Sequence, residues 1–110
     1  MKIKAKFGYC ALTADFLHIG HIRFLKRAKE YCEHLTVGVM SDICVKSYKG
    51  HFPIMKIQQR TEIIKQLRIV DDVVIQRTFN FPENLINRQD LVIIDSAEHK
   101  RHGADYIIAY

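Results

Sequence analysis

Residues 7–21 read FGYCALTADFLHIGH, and the prediction of the fold begins with this stretch. Its first half, residues 7–12, is an apolar run with aromatic side chains, long enough for a strand and too short for a helix. No polar residue alternates within it, which is typical of a strand buried on both faces of a sheet. Its second half carries two histidines around one glycine. The stretch therefore predicts a buried strand, a loop and the start of a helix.

The helix that follows has an apolar stripe. Within residues 20–32 an apolar side chain recurs at every third or fourth position, from Ile22 to Cys32, and most charged residues lie elsewhere. His18 and His21 therefore stand at or before the first helical turn. Free backbone N–H groups and the helix dipole favour anions at such a place. We interpret this joint as a phosphate-handling site.

The remaining pattern alternates strands and helices. We predict strands at residues 35–40, 73–75, 91–94 and 106–109, a helix at residues 56–67, and a turn with a short helix at residues 79–88. Residues 43–53 are basic and irregular, which indicates a mobile loop. The alternation predicts an α/β fold, a Rossmann-like three-layer sandwich with a mostly parallel five-stranded sheet. Ligands of such sheets bind beyond the carboxyl ends of the strands, where the predicted loops 13–21, 41–53 and 95–104 meet.

Bulk properties limit the class of protein. A chain of 110 residues fits one domain over residues 1–110, and no apolar run approaches the length of a membrane span. Three cysteines without a C-x-x-C pair favour a reducing, cytoplasmic setting and no protein-held metal. The net charge of +5 suggests an anionic partner but does not separate nucleic acid from nucleotides. The chain lacks a basic stripe rich in aromatic residues, which argues against nucleic acid as the partner.

Several ordered motifs resemble one family. Residues 15–22, DFLHIGHI, resemble the signature of the cytidylyltransferase-like nucleotidyltransferases, whose usual pattern is G-T-F-D-x-x-H-x-G-H. Further segments lie in the family's register: VGVMSD at 37–42, KGHFPIM at 49–55, QRTEII at 59–64 and VDDVV at 70–74. The subgroup that these segments resemble most by eye contains the glycerol-3-phosphate, choline-phosphate and ethanolamine-phosphate cytidylyltransferases.

The resemblance implies a reaction and catalytic residues. A phosphorylated small alcohol would attack the α-phosphorus of CTP, accompanied by Mg²⁺, and release pyrophosphate to give a CDP-alcohol. His18 and His21 would donate hydrogen bonds to the phosphate oxygens. Lys49 would reach the phosphates from the 43–53 loop, with Lys46 as the competing candidate. Arg60 matches the arginine of the family's helix and would clamp phosphate with its fork of donors.

The same resemblance implies residues around the nucleotide and three departures from the family. Thr13, Ala14, Asp15 and Gly20 would line the nucleotide, and Asp95 would lie near its base; Asp15 is as consistent with organising the loop as with touching ligand. Leu12 stands where the family has glycine. The segment that begins at Asp95 lacks the family's usual glycine. The S-T/T segment with which the family binds triphosphate does not occur before Tyr110.

Other functions stay open at the level of sequence. An adenylyltransferase of the same family, such as one that makes FAD, fits the same motifs. A catalytically degenerate nucleotide-binding or dimerisation module would explain the departures. A nucleic-acid binder rests on the net charge alone and ranks last. The resemblance, rather than any periodicity, implies a homodimer.

Overall fold

The computed structural model describes residues 5–78 in full and residues 91–95 and 106–109 as strand backbone. The strands are β1 (Ala5–Leu12), β2 (Cys32–Met40), β3 (Asp72–Gln76), β4 (Leu91–Asp95) and β5 (Tyr106–Ala109). The helices are α1 (Ile19–Lys29), α2 (Asp42–Lys49) and α3 (Ile57–Lys65). The predicted turn and short helix at residues 79–88 lie outside the described residues. No helix in the described part of the chain is long and apolar enough to cross a membrane.

The sheet is parallel throughout the described pairings. β2 pairs with β1 and β3, and the backbone of β4 pairs with β1 and β5, which gives the order β3-β2-β1-β4-β5. The predicted parallel α/β architecture is therefore confirmed over β1, β2 and β3. The count of five strands stays a prediction, because β4 and β5 are described by their backbones alone.

The core forms where α1 and α3 cover the central strands. Val37 and Val39 of β2 are fully buried, as are Leu25 and Ala28 of α1 and Ile64 of α3. Leu25 and Ala28 lie on one face of α1 because residues three apart are neighbours on a helix. This apolar stripe fixes the helix against the sheet, so the amino end of α1 is held at the carboxyl edge of β1.

Two predicted boundaries were wrong for identifiable reasons. Residues 43–53 were predicted as a mobile loop, but most of them form α2, which Ser41 caps through a 3.2 Å hydrogen bond from the Cys44 N–H. Gly50 ends α2 in a left-handed conformation with φ +83°, which glycine adopts without steric cost. Helix α1 ends at Lys29, and Cys32 begins β2 instead of closing the helical stripe.

Candidate active site

The loop after β1 lies at the point where the order of strands reverses. β1 is followed along the chain by β2 on one side of the sheet, whereas β4 pairs with the opposite side of β1. Ligands of parallel sheets bind at such switch points, beyond the carboxyl ends of the strands. The loop after β1, residues 13–18, and Ser41, which follows β2, leave this same edge because the strands are parallel.

Both histidines cap helix α1. His18 is the N-cap residue, and its Nδ1 accepts a 3.0 Å hydrogen bond from the Gly20 N–H. In return, His21 Nδ1 accepts a 3.0 Å hydrogen bond from the His18 N–H. The pair forms a capping box, which satisfies two backbone donors that the helix cannot satisfy itself. Since each Nδ1 accepts, the neutral rings carry their proton on Nε2, so both Nε2–H groups are available to donate.

Gly20 leaves room for this arrangement. A Cβ added to Gly20 would lie 2.7 Å from Cε1 and 3.0 Å from Nδ1 of His18. The glycine is therefore required by the close approach of the imidazole, whose ring lies over the first turn. The two rings lie with their centroids 4.1 Å apart and tilted by 49°. The H-x-G-H pattern thus places two imidazoles side by side at one helix end.

The charge of this end of α1 is positive. The first turn contains no acidic side chain, so nothing opposes the helix dipole there. Desolvation by burial lowers the pKa of His21, and the charges of His18 and Lys49 lower it further. The lowered pKa favours the neutral form of His21, which is the form that its capping role needs. Lys49, the exposed last residue of α2 rather than part of a loop, lies close enough for its charge to act on His21; its contact with phosphate stays a prediction.

Asp15 organises the loop. Its Oδ2 accepts a 2.9 Å hydrogen bond from the Ile54 N–H, and its Oδ1 accepts another of 2.9 Å from the Met55 N–H. Desolvation by burial raises the pKa of Asp15, but these two backbone donors and the charges of Arg60 and Lys49 outweigh it, so the pKa lies below its ordinary value. These hydrogen bonds support the organising role, and contact of Asp15 with a ligand stays a prediction.

Arg60 lies in a different environment from the predicted phosphate clamp. Its side chain is 0% exposed, and four of its five N–H groups donate to protein atoms. The acceptors are the carbonyl oxygens of Thr13, Met40 and Met55 and the carboxylate of Asp42. A guanidinium engaged in this way does not present its fork to a ligand. Its contact with phosphate therefore gains no support from the geometry.

The other predicted site residues divide between the loop and its surroundings. Ala14 is buried in the loop with φ 55°, a left-handed conformation that is uncommon for residues other than glycine. Thr13 gives its carbonyl oxygen to Arg60, and its hydroxyl lies 3.8 Å from the Met40 sulfur. Lys46 lies over the ring of Phe52, with Nζ 4.9 Å from the centroid, so Lys49 is the better placed of the two lysines.

Asp95 ends β4 at the same edge of the sheet, and its side chain lies outside the described residues. Within residues 5–78, no group of three histidine, cysteine or carboxylate side chains has the spacing of a metal site. The two carboxylates described here are already engaged, Asp15 by backbone donors and Asp42 by an arginine.

Asp42 was not predicted from the sequence as a residue of this site. Asp42 is the first residue of α2, and its Oδ1 lies 2.5 Å from Arg60 Nη2. The two residues are 18 positions apart in the sequence and lie on different helices, so their contact depends on how α2 and α3 pack. A helix start that follows Ser41 was the one local signal for this position.

Comparison with known proteins agrees with this geometry. The family model described as cytidylyltransferase-like matches residues 12–109, so the chain belongs to that family, and the resemblance seen in the sequence is confirmed. The solved lipopolysaccharide core biosynthesis protein from Thermoplasma volcanium has a similar fold, with a TM-score of 0.79 at 20% identity over 96% of this chain and 97% of that one.

The chain is similar to proteins that are named for different activities. A FAD synthase of Pyrococcus horikoshii is 45% identical over 74 residues, which cover 67% of this chain and 50% of that protein. An ethanolamine-phosphate cytidylyltransferase of Dictyostelium discoideum is 33% identical over 95 residues, which cover 86% of this chain and 25% of that protein. The chain thus spans half or less of the length of these two relatives.

Proposed function

We propose that the protein is a nucleotidyltransferase that joins a phosphate monoester to a nucleoside monophosphate taken from a nucleoside triphosphate. A phosphate oxygen of the acceptor attacks the α-phosphorus of the triphosphate. The bond between the α-phosphorus and the bridging oxygen to the β-phosphorus breaks, and that oxygen leaves with pyrophosphate. The observation that carries this proposal is the capping box of His18 and His21, which leaves two Nε2–H donors at a positive helix end.

The protein's contribution is to place positive donors around developing negative charge. The Nε2–H groups of His18 and His21 would donate to phosphate oxygens, and Lys49 would add a full positive charge beside them. Fixed donors of this kind stabilise a transition state because they need no reorganisation during the reaction, and removing one costs about 10²–10³-fold in kcat. Mg²⁺ would enter as the counter-ion of the triphosphate, and no step assigned to these residues needs it.

We favour CTP and a phosphorylated small alcohol as substrates, which would give a CDP-alcohol. The support is the motif register of residues 15–22 and 49–64 and the length of the match to ethanolamine-phosphate cytidylyltransferase. The same resemblance underlies the proposals of a homodimer, a cytoplasmic setting and a complete five-stranded, three-layer sandwich.

ATP with FMN as acceptor is the second candidate. The FAD synthase of Pyrococcus horikoshii has the higher identity to this chain. Three exposed apolar side chains, on the loop after β1 and on the segment before α3, would also suit a flat aromatic acceptor: Phe16 is 56% exposed, Phe52 is 55% exposed and Ile54 is 77% exposed. A small alcohol phosphate would gain little from these side chains.

One assay tests both candidates. Pyrophosphate release is measured with CTP and glycerol-3-phosphate, phosphocholine or phosphoethanolamine, and in parallel with ATP and FMN, each with Mg²⁺. The proposal expects release from one pair and loss of that activity in His18→Asn. Nucleotide binding without any turnover would instead indicate a degenerate binding module. No nucleotide binding at millimolar concentration would refute the proposal.

A further inference from the structure

Arg60 joins four separate segments. Its Nε donates to the Met55 carbonyl at 2.8 Å, and its Nη1 donates to the Thr13 carbonyl at 2.8 Å and to the Met40 carbonyl at 2.7 Å. Its Nη2 donates to the carboxylate of Asp42. A fully buried charge is tolerated only when it is paired and hydrogen-bonded, and here the partners are the ends of β1 and β2, the start of α2 and the turn before α3.

Asp15 ties two of these segments in the opposite direction. Arg60 donates from α3 to the loop carbonyl of Thr13 and to the turn carbonyl of Met55, while the Asp15 carboxylate accepts from the N–H groups of Ile54 and Met55. The loop of residues 13–16 and the turn of residues 54–55 are thus joined directly by the hydrogen bonds of Asp15 and indirectly by those of Arg60. We call this pair of side chains, Arg60 and Asp15, the latch.

The loop that the latch holds is strained. Ala14 has φ 55° and Phe16 has φ 60°, so both residues beside Asp15 adopt the left-handed conformation. This conformation is sterically unfavourable for a residue with a side chain. Such strain persists only where the surroundings over-determine the backbone. The hydrogen bonds of Asp15 and Arg60 fall on this loop and supply that restraint.

The loop leads directly into the phosphate site. Only Leu17 separates Phe16 from His18, the N-cap of α1. We propose that Arg60 is a positioning residue, which acts with Asp15 as a latch to fix the strained loop 13–16 and thereby aim the imidazoles of His18 and His21. This inference rests on the proposed function and assigns Arg60 a role without contact to phosphate.

Arg60→Lys and Asp15→Asn each alter one of the two side chains of the latch. A lysine ammonium has three donors on one atom and cannot reach acceptors that a planar fork serves in several directions. An asparagine at position 15 would set its amide N–H₂ against one of the two backbone N–H groups. We expect each change to lower kcat about 100-fold, because a misplacement of about 1 Å has that effect. The nucleotide KM should change by no more than about fivefold, since Lys49 and the end of α1 still bind the triphosphate.

The measurement is kcat and KM per folded molecule, at a temperature where each variant is shown to be folded. Arg68→Lys, an exposed position before β3, is the matched control and should leave both constants unchanged. The double variant Asp15→Asn with Arg60→Lys should lose little more than the worse single variant, because both changes open one latch. Single variants that are less stable but have a normal kcat per folded molecule would overturn the proposal. A double variant whose fold-loss in kcat equals the product of the two single losses would also overturn it.

A second readout does not require turnover. The ¹⁵N resonances of the His18 and His21 rings report tautomer and surroundings in the protein without substrate. The latch predicts that these resonances move in Arg60→Lys and in Asp15→Asn and stay in place in Arg68→Lys. Unchanged rings in both latch variants would overturn the inference. If the wild-type protein releases no pyrophosphate, the proposed reaction fails, and the ring resonances still decide about the latch.

Discussion

His18 combines two roles that substitutions can separate. Its Nδ1 caps α1 through the Gly20 N–H, whereas its Nε2–H is the proposed phosphate donor. His18→Asn keeps an acceptor near the position of Nδ1 and removes Nε2, and asparagine is among the best N-cap residues. His18→Ala removes both groups. The reciprocal bond from the backbone N–H of residue 18 to His21 remains available in either variant.

The expected magnitudes differ for the two roles. Loss of the cap in His18→Ala should cost about 1 kcal/mol of unfolding free energy, which corresponds to a fall in Tm of about 4 °C for a domain of this size. His18→Asn should keep its Tm within about 2 °C of the wild type. Both variants should lose about 10²–10³-fold in kcat, because both lack the Nε2–H donor.

Thermal unfolding followed by circular dichroism and pyrophosphate release together check this prediction. Full activity in a well-folded His18→Asn would refute the role of Nε2. A His18→Ala variant as stable as the wild type would show that the cap contributes nothing measurable. His18→Gln, which returns a polar group near Nε2 without the cap, should have the lower Tm and should recover part of the activity.

Three further outcomes test the environment of the same site. Burial and nearby charge hold the pKa of His21 below its ordinary 6.5. Between that lowered pKa and 6.5 the unfolded chain therefore binds more protons than the folded one, so the free energy of unfolding should fall as the pH drops through this window. Urea unfolding at about pH 7.5 and about pH 5.5 should show a smaller pH dependence of stability in His21→Asn than in the wild type. Gly38→Ala places a Cβ 1.8 Å from the Tyr9 hydroxyl oxygen and 2.6 Å from its Cζ, so we expect a loss of about 1–3 kcal/mol in denaturant unfolding, and an undiminished stability would contradict this packing. Gly20→Ala should displace the His18 ring, lowering kcat at least about tenfold; unchanged kinetics would contradict the need for glycine.

The sequence predicts the central unit of the fold because local patterns and packing agree there. Residues 7–12 form a strand buried in the sheet, and the apolar stripe from Ile22 onward is the face of α1 that packs on it. The prediction of α2 failed because Ile43, Val45 and Tyr48 have modest helix propensity and the segment is short. Its capping signals, Ser41 before it and Gly50 after it, were present and were outweighed by that composition.

The hydrogen bonds of the latch could not be predicted from the sequence. A fully buried arginine is rare, and the partners of Arg60 come from segments up to 47 positions away along the chain. The family register singled out Arg60 and suggested that it contacts phosphate, whereas the structure shows its donors engaged by protein atoms. The left-handed conformations of Ala14 and Phe16 were equally hidden, because neither residue type favours φ above zero. Strain of this kind depends on the surrounding hydrogen bonds and not on the local residue types.

The central claim is that nucleotide phosphate binds at the two Nε2–H groups of the capping box. Titration of ¹⁵N-histidine-labelled protein with CTP or ATP and Mg²⁺ tests it most directly, since each imidazole nitrogen has its own resonance. We expect the Nε2 signals of His18 and His21 to shift until the protein is saturated with nucleotide, while their Nδ1 signals keep the values of hydrogen-bond acceptors. Saturable nucleotide binding that leaves both Nε2 signals unmoved would contradict it.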